Sequence, residues 1–137
     1  MALILDTGPL LAALDGADPD HEECAALLVD AVEDLVVPTL VLGELDYWCH
    51  ERLTADAWIA FLDDLLAGAY RAESPSAEDL QRCRELQSTY ADLALGVVDA
   101  SVVALVERLG ENKVATLDRR HFGVVRPRHL ESLRLVP

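Results

Sequence analysis

The sequence has very little positive charge in its first half, where no lysine or arginine precedes Arg52. Residues 1–70 contain fifteen acidic residues and this single cation, so their excess of fourteen negative charges equals the net charge of the whole chain, −14. A surface of this kind repels phosphates and favours divalent cations or a basic protein partner. Any nucleic acid would therefore have to be held locally, through a bound metal or near the arginines of the last nineteen residues.

Cysteines and long apolar runs are also scarce. The three cysteines form no CxxC or other ligand spacing, which favours a reducing compartment in which each is a small apolar residue. No apolar run reaches the ~18 residues of a membrane helix, and no basic stretch precedes the first apolar run, so neither a membrane span nor a signal peptide is expected. With 52% apolar residues, the chain is expected to form one cytoplasmic domain over residues 1–137.

Short apolar segments alternate with longer helical patterns along the chain. This alternation predicts an α/β fold, an α/β/α sandwich around a short, mostly parallel sheet of four to five strands. The expected strands are 2–5, 35–38, 69–73, 113–117 and 133–136, and the expected helices, with their capping residues, are 9–14, 18–31, 39–53, 54–67, 76–90 and 96–110.

Two acidic residues follow predicted strands, and two others lie within apolar helical stripes. Asp6 follows the first strand and Asp118 the fourth, which places both at the carboxyl edge of the sheet, where such folds bind ligands. Glu44 shares a helical face with Leu40 and Trp48, and Asp99 has apolar residues at i−4, i+3, i+4 and i+7. A carboxylate facing the core is costly unless it has a partner.

Each of these acids has a purely structural explanation. Asp6, Asp99 and Asp118 could cap helices, and Glu44 could sit at the edge of its stripe. Together, however, converging carboxylates would repel one another by about 4 kcal/mol per close pair at a surface-like dielectric. A hard cation such as Mg²⁺ or Mn²⁺ removes that repulsion and prefers oxygen ligands. Carboxylates holding one or two such ions polarise a phosphodiester and activate water.

Four segments in order carry a resemblance to a known family. The segments LILDTGPLLAAL, VPTLVLGEL, YADLALGVVDASVVALVERLG and VATLDRRHF resemble those of PIN-domain ribonucleases, and more narrowly the VapC toxins of toxin–antitoxin pairs. The resemblance covers nearly the whole chain. It implies a Mg²⁺- or Mn²⁺-dependent endoribonuclease that cuts structured RNA, such as a tRNA or ribosomal RNA loop. It further implies a homodimer and a VapB-like antitoxin whose basic segment covers the active site.

The resemblance also assigns roles to individual residues. The catalytic and metal-binding positions fall on Asp6, Glu44, Asp99 and Asp118. Asp92 matches an additional acid of many members, a group outside the first ligands or at a second metal, although a solvated loop position explains it nearly as well. Outer positions that could orient a metal-bound water fall on Thr7 and Thr116. Candidate phosphate contacts, with a solvated turn as the alternative, are Arg119, Arg120 and His121.

Other functions fit the sequence less well. A pepsin-like protease shares the Asp6-Thr-Gly motif but lacks a Pro-led helix after it, and a haloacid-type phosphatase needs a second aspartate where Gly8 stands. In a receiver domain, Lys113 would lie at the wrong end of its strand. The remaining alternative is a non-catalytic PIN-fold module that binds protein or RNA. The aromatic residues Trp48 and Trp58 are expected in the core or a dimer interface rather than as a base-stacking platform.

Overall fold

A computed structural model describes residues 1–137 and contains five strands and seven helices. The strands are β1 (Ala2–Leu5), β2 (Asp34–Pro38), β3 (Arg71–Glu73), β4 (Lys113–Ala115) and β5 (Arg134–Val136). The helices are α1 (Thr7–Leu14), α2 (His21–Asp30), α3 (Thr39–Arg52), α4 (Ala55–Leu66), α5 (Ala77–Thr89), α6 (Val97–Leu109) and α7 (Arg119–Phe122), with a short 3₁₀ helix at Ala91–Leu93.

The strands form one parallel sheet in the order β3-β2-β1-β4-β5. Strand β1 is buried along its whole length and pairs with β2 on one side and β4 on the other. The chain therefore runs outward in one direction from β1 to β3 and in the other direction from β4 to β5. In parallel α/β sheets the crevice at such a change of direction, beyond the carboxyl ends of the strands, is the usual ligand site.

The core lies between this sheet and two groups of helices. Helix α6 contacts β1 and β2 and packs along α5, whereas α1 packs with α2 and α3, and α3 with β2 and α4. The central part of α6, residues 100–106, is entirely buried. Burial of such apolar side chains contributes roughly 1.5–3 kcal/mol each, which fixes the helix ends that border the sheet. None of the helices is both long and apolar enough to cross a bilayer.

The predicted α/β/α architecture and parallel sheet are confirmed, and most element bounds agree within two residues. Two short elements were not predicted, the 3₁₀ helix and α7, because four or fewer residues show no clear periodicity. Helix α1 begins at Thr7 rather than Pro9, directly after Asp6. Helix α5 begins with a capping box, in which Ser76 and Asp79 satisfy each other's backbone N–H groups.

Candidate functional site

A cleft of about 580 Å³ opens at the carboxyl edge of β1 and β4. The four carboxylates predicted from the sequence all line it: Asp6, Glu44, Asp99 and Asp118. Asp6 directly follows β1, and Asp118 follows β4. Glu44 lies on α3, and Asp99 lies in the first turn of α6. The structure therefore brings together side chains from two strand ends and two helices that are far apart in sequence.

The helix-capping explanation holds for only one of these residues. Asp118 caps α7, because its Oδ1 accepts the backbone N–H of His121 at 3.0 Å. Asp6 occupies the capping position of α1, but its side chain makes no capping hydrogen bond. The capping residue of α6 is Gly96, not Asp99. Helix capping thus explains the position of Asp118 but not the positions of Asp6, Glu44 and Asp99.

Two threonine hydroxyls hold carboxylates in place. Thr116 Oγ1 donates to Asp6 Oδ2 at 2.8 Å and accepts the backbone N–H of Asp118 at 3.0 Å, so one buried hydroxyl links both strand ends. Thr7 Oγ1 donates a hydrogen bond to Glu44 Oε1, which ties the start of α1 to α3. Both threonines lie where the resemblance placed them, beside the first and last acids.

Two of the four carboxylates, Asp6 and Asp99, lie largely away from water, and their pKa values are raised. Burial is the main cause that raises the pKa of Asp6, with the charges of Glu44 and Asp118 adding to it. Burial also raises the pKa of Asp99 to about 6, with a further contribution from the negative charge of Asp6. No lysine or arginine forms an ion pair with any of the four acids. The cleft therefore holds a concentration of negative charge that no lysine or arginine pairs with, and His121 is the single basic side chain in contact with it.

Asp118 differs from its neighbours because His121 contacts it. Burial acts to raise the pKa of Asp118, but hydrogen bonds from the side chain and backbone of His121 outweigh it, so the pKa is lowered. In turn the pKa of His121 is raised, chiefly by its hydrogen bond to Asp118. The imidazole Nδ1 lies 2.5 Å from Asp118 Oδ2 and 3.9 Å from an oxygen of Asp99, and its Nε2 lies 3.0 Å from the Leu93 carbonyl oxygen.

A candidate cation-binding group lies at this end of the cleft. Asp99, Asp118 and His121 each offer one ligand atom within 4.8 Å of the other two. Asp6 is not a member of this tight group, although it lines the same cleft. Two or more carboxylates with few protein cations are a donor set that suits a hard divalent ion. The sequence had placed His121 among phosphate contacts, whereas the structure directs its ring at Asp118.

The other residues singled out from the sequence lie outside the cleft lining. Asp92 is exposed on the 3₁₀ helix, and the exposed Arg119 donates from Nη2 to the carbonyl oxygen of Pro137 at 2.6 Å. Arg120 is exposed as well. Two residues that line the cleft, Trp48 and Arg52, were not predicted there from the sequence: Trp48 was expected in the core or a dimer interface, and Arg52 was not considered for the site. They follow Glu44 at i+4 and i+8, and that helical spacing was the signal that could have found them.

Comparison with known proteins agrees with this geometry. The PIN domain family model matches residues 3–126. A curated relative, Ribonuclease VapC26 of Mycobacterium tuberculosis, is 36% identical over 125 residues, which span 91% of this chain and 93% of the relative.

Solved structures show the same fold. The Sarcin-Ricin loop cleaving toxin VapC20 of Mycobacterium tuberculosis superposes with a TM-score of 0.79 at 20% identity, covering 85% of this chain and 90% of that one. VapBC2 of Rickettsia felis, crystallised with a DNA fragment from its promoter, gives a TM-score of 0.71 at 18% identity, covering 98% of this chain and 97% of the other.

Proposed function

The chain belongs to the PIN-domain family, and on this premise we propose that it is a metal-dependent endoribonuclease, the toxin of a toxin–antitoxin pair. The observation that carries the proposal is the convergence of Asp6, Glu44, Asp99 and Asp118 in one cleft without a lysine or arginine partner. A binding module would have no use for four carboxylates that repel one another, since each close pair costs about 4 kcal/mol at a surface-like dielectric.

The residues of the cleft fit a bound divalent cation. Asp6, Asp99 and Asp118 would hold one Mg²⁺ or Mn²⁺ ion, with Glu44 beside them and room for a second ion in a cleft of about 580 Å³. When bound, such an ion neutralises the developing charge on a phosphodiester and activates water for in-line attack. Oxygen donors prefer these hard ions over the softer metals that thiolates would select.

The chain's own groups orient the reaction. Thr116 fixes Asp6, and Thr7 fixes Glu44 through Oε1, which leaves Glu44 Oε2 to accept a proton from the attacking water. His121 holds Asp118 in a single orientation through Nδ1 and is itself fixed by the Leu93 carbonyl. These contacts restrict the carboxylates before substrate arrives, and such preorganisation is the main protein contribution to phosphoryl chemistry.

The relatives support the nature of the substrate and partner. VapC20 is described as cleaving the Sarcin-Ricin loop, which supports a structured RNA as the substrate here. We propose ribosomal RNA or tRNA as that substrate. The VapBC complex supports a VapB-like antitoxin as partner. The net charge of −14 suits an antitoxin segment that carries arginine or lysine into the carboxylates. We further propose that the chain, a single PIN-like domain, works as a homodimer.

Calorimetry with Mn²⁺ and Mg²⁺ tests this proposal directly. We expect the wild-type chain, freed of antitoxin, to bind the ions and to cleave ribosomal RNA or tRNA, and the Asp6→Asn/Asp99→Asn variant to do neither. The matched control is Asp56→Asn/Asp63→Asn, which removes the same charge from α4, outside the cleft. Folded wild-type protein that binds no ion would overturn the proposal and favour a PIN-fold binding module.

A further inference from the structure

One wall of the acidic cleft is a single face of helix α3. Glu44, Trp48 and Arg52 follow one another at intervals of four residues and all line the cleft. Each interval advances about 6 Å along a helix axis. The face therefore presents a carboxylate at the candidate metal centre, then an aromatic ring, then a cation. The reaction proposed above uses only the first of the three.

The indole ring of Trp48 is open to the cleft. Trp48 is 40% exposed, whereas Trp58 packs against the buried Phe61 with ring centroids 5.8 Å apart. The only aromatic neighbour of Trp48 is Tyr47. The two rings lie nearly perpendicular, at 78°, with their centroids 5.1 Å apart. A perpendicular pair covers at most one face of the indole. At least one face is thus free of Tyr47 while the ring is held in position.

Arg52 provides the only basic side chain in the lining of the cleft. Its Nη2 donates to Asp15 Oδ2 at 3.1 Å and to Asp18 Oδ2 at 3.0 Å, on the loop between α1 and α2. A guanidinium carries five N–H donors, and these two bonds leave those on Nε and Nη1 free. The side chain is therefore fixed in advance, and a planar fork of this kind is suited to phosphate oxygens.

We propose that Trp48 and Arg52 form a subsite for an unpaired nucleotide of the RNA substrate, beside the scissile phosphate. Trp48 stacks on the nucleobase, and Arg52 donates to the phosphate that follows it. The inference rests on the proposed ribonuclease function. An aromatic face next to a cation matches the two parts of a nucleotide, and both share the cleft with the carboxylates. Bases of a duplex are already stacked, so the subsite selects a loop or single strand.

Substitution of Trp48 separates stacking from other roles. Removal of one contact between a base and an aromatic ring weakens nucleic-acid binding by about 5- to 150-fold. We expect kcat/KM to fall by this factor in Trp48→Ala, and we expect Trp48→Phe to restore most of it. The control Ile59→Ala removes a similarly exposed apolar side chain from α4, outside the cleft, and should cleave at the wild-type rate. Light scattering on each variant reports the oligomeric state.

Fluorescence provides a readout that does not depend on cleavage. The chain has two tryptophans, so Trp58→Phe leaves Trp48 as the sole reporter. In an Asp99→Asn background with Mg²⁺, we expect a single-stranded 2′-O-methyl oligonucleotide to quench its emission. The same oligonucleotide annealed to its complement should leave the emission unchanged.

The salt dependence of binding tests Arg52. Loss of one phosphate contact lowers the slope of log Kd against log salt concentration by about 0.7 for a single strand, and we expect this change for Arg52→Gln. Trp48→Ala should weaken binding without changing the slope. The variant Asp15→Asn/Asp18→Asn keeps Arg52 but removes its ion-pair partners, and it should retain the wild-type slope. This control separates phosphate contact from the ion pairs.

The outcomes distinguish this inference from the function on which it rests. If the wild type cleaves RNA and Trp48→Ala cleaves equally well, the subsite is wrong and the ribonuclease function stands. If Trp48→Ala loses activity only because it dissociates into monomers, the ring belongs to an interface between copies and the inference is also wrong. If the wild-type protein neither binds metal nor cleaves RNA, the proposed ribonuclease function is itself overturned.

Discussion

The hydroxyl group of Thr116 lies 2.8 Å from Oδ2 of Asp6 and donates a hydrogen bond to it, across the paired ends of β4 and β1. This bond lowers the pKa of Asp6 against the larger effect of burial. The same oxygen accepts the backbone N–H of Asp118. One side chain therefore lowers the pKa of one carboxylate and holds the backbone of another in position.

The first prediction concerns Thr116→Val, which keeps the side-chain shape and removes the hydroxyl. We expect the acid limb of the pH–rate profile for RNA cleavage to move to higher pH, because Asp6 loses the bond that favours its charged form. Loss of the partly buried hydrogen bond from the Asp118 N–H lowers the free energy of unfolding by about 0.5–1.5 kcal/mol. Thr89→Val, at an exposed position, is the control and should change neither measurement. An unshifted pH profile would contradict the assigned role of the hydroxyl.

The second prediction concerns pH and stability without metal. The pKa of Asp99 in the folded chain is about 6, above its ordinary value of 3.8, so folding favours the protonated form. Stability from this group is fully present below about 3.8 and is lost as the pH rises through about 6. In EDTA we expect the melting temperature to rise as the pH falls from 7 to 5. The raised pKa of His121 acts in the same direction.

General charge repulsion also weakens at lower pH, so variants are needed to isolate Asp99. Asp99→Asn should raise the melting temperature at pH 7 and reduce its increase toward pH 5. The shift of about two units corresponds to roughly 3 kcal/mol at most. Asp63→Asn removes the same charge from an exposed position on α4 and should keep the wild-type pH response. Equal responses of the two variants would show that Asp99 is not the titrating group.

The third prediction concerns the contribution of an ion pair between α5 and α6 to stability. Arg82 on α5 forms a two-pronged ion pair with Glu107 on α6, with both N–O distances at 2.9 Å and both side chains mostly buried. Arg82→Ala leaves the Glu107 charge without its main partner and should lower the free energy of unfolding in urea by about 3–5 kcal/mol. Replacing both residues, as Arg82→Met/Glu107→Leu, should restore much of that loss. Arg84→Ala, at an exposed position on α5, should have little effect.

The fourth prediction concerns the start of α5. Ser76→Ala removes the hydroxyl that accepts the Asp79 N–H at 3.1 Å. The loss of an N-cap costs about 0.5–2 kcal/mol, and we expect urea unfolding to show it while RNA cleavage below the melting temperature stays unchanged. Ser76→Asp, which can accept the same hydrogen bond, should recover most of the stability. Reduced cleavage in the folded Ser76→Ala protein would contradict a purely structural role.

The sequence predicted the four carboxylates because their signals are local. Asp6 and Asp118 follow short apolar strands, and Glu44 and Asp99 interrupt apolar helical stripes. The pairing of β1 with β4 is a contact between residues more than a hundred positions apart, and no local period encodes it. The α/β alternation placed Asp6 and Asp118 at the carboxyl edge of the sheet, but it did not predict that β1 and β4 are neighbours.

The surroundings of the carboxylates were predicted less well. His121 was a candidate phosphate contact, with a solvated turn as the alternative; its ring contacts Asp118, which caps the single turn of α7, and the phosphate contact stays a prediction. Trp48 was expected in the core or a dimer interface; its 40% exposure in the cleft excludes the core, and the dimer interface stays a prediction. An amphipathic helix carries tryptophan at the same spacing whether the ring lies in the core or lines a cleft, so the sequence does not distinguish the two positions. The packing of α3 beside β2 does.

The position of β1 in the middle of the sheet has a consequence for synthesis on the ribosome. Asp6, Glu44 and Asp99 are synthesised before β4. Strand β1 has no neighbour on its second side until residues 113–115 are made. Asp118 and Thr116 arrive with that same segment. A nascent chain that stops before Lys113 would carry three of the four acids and still lack a working centre. Assembly of the centre therefore waits until the segment from Lys113 to Asp118 has been synthesised.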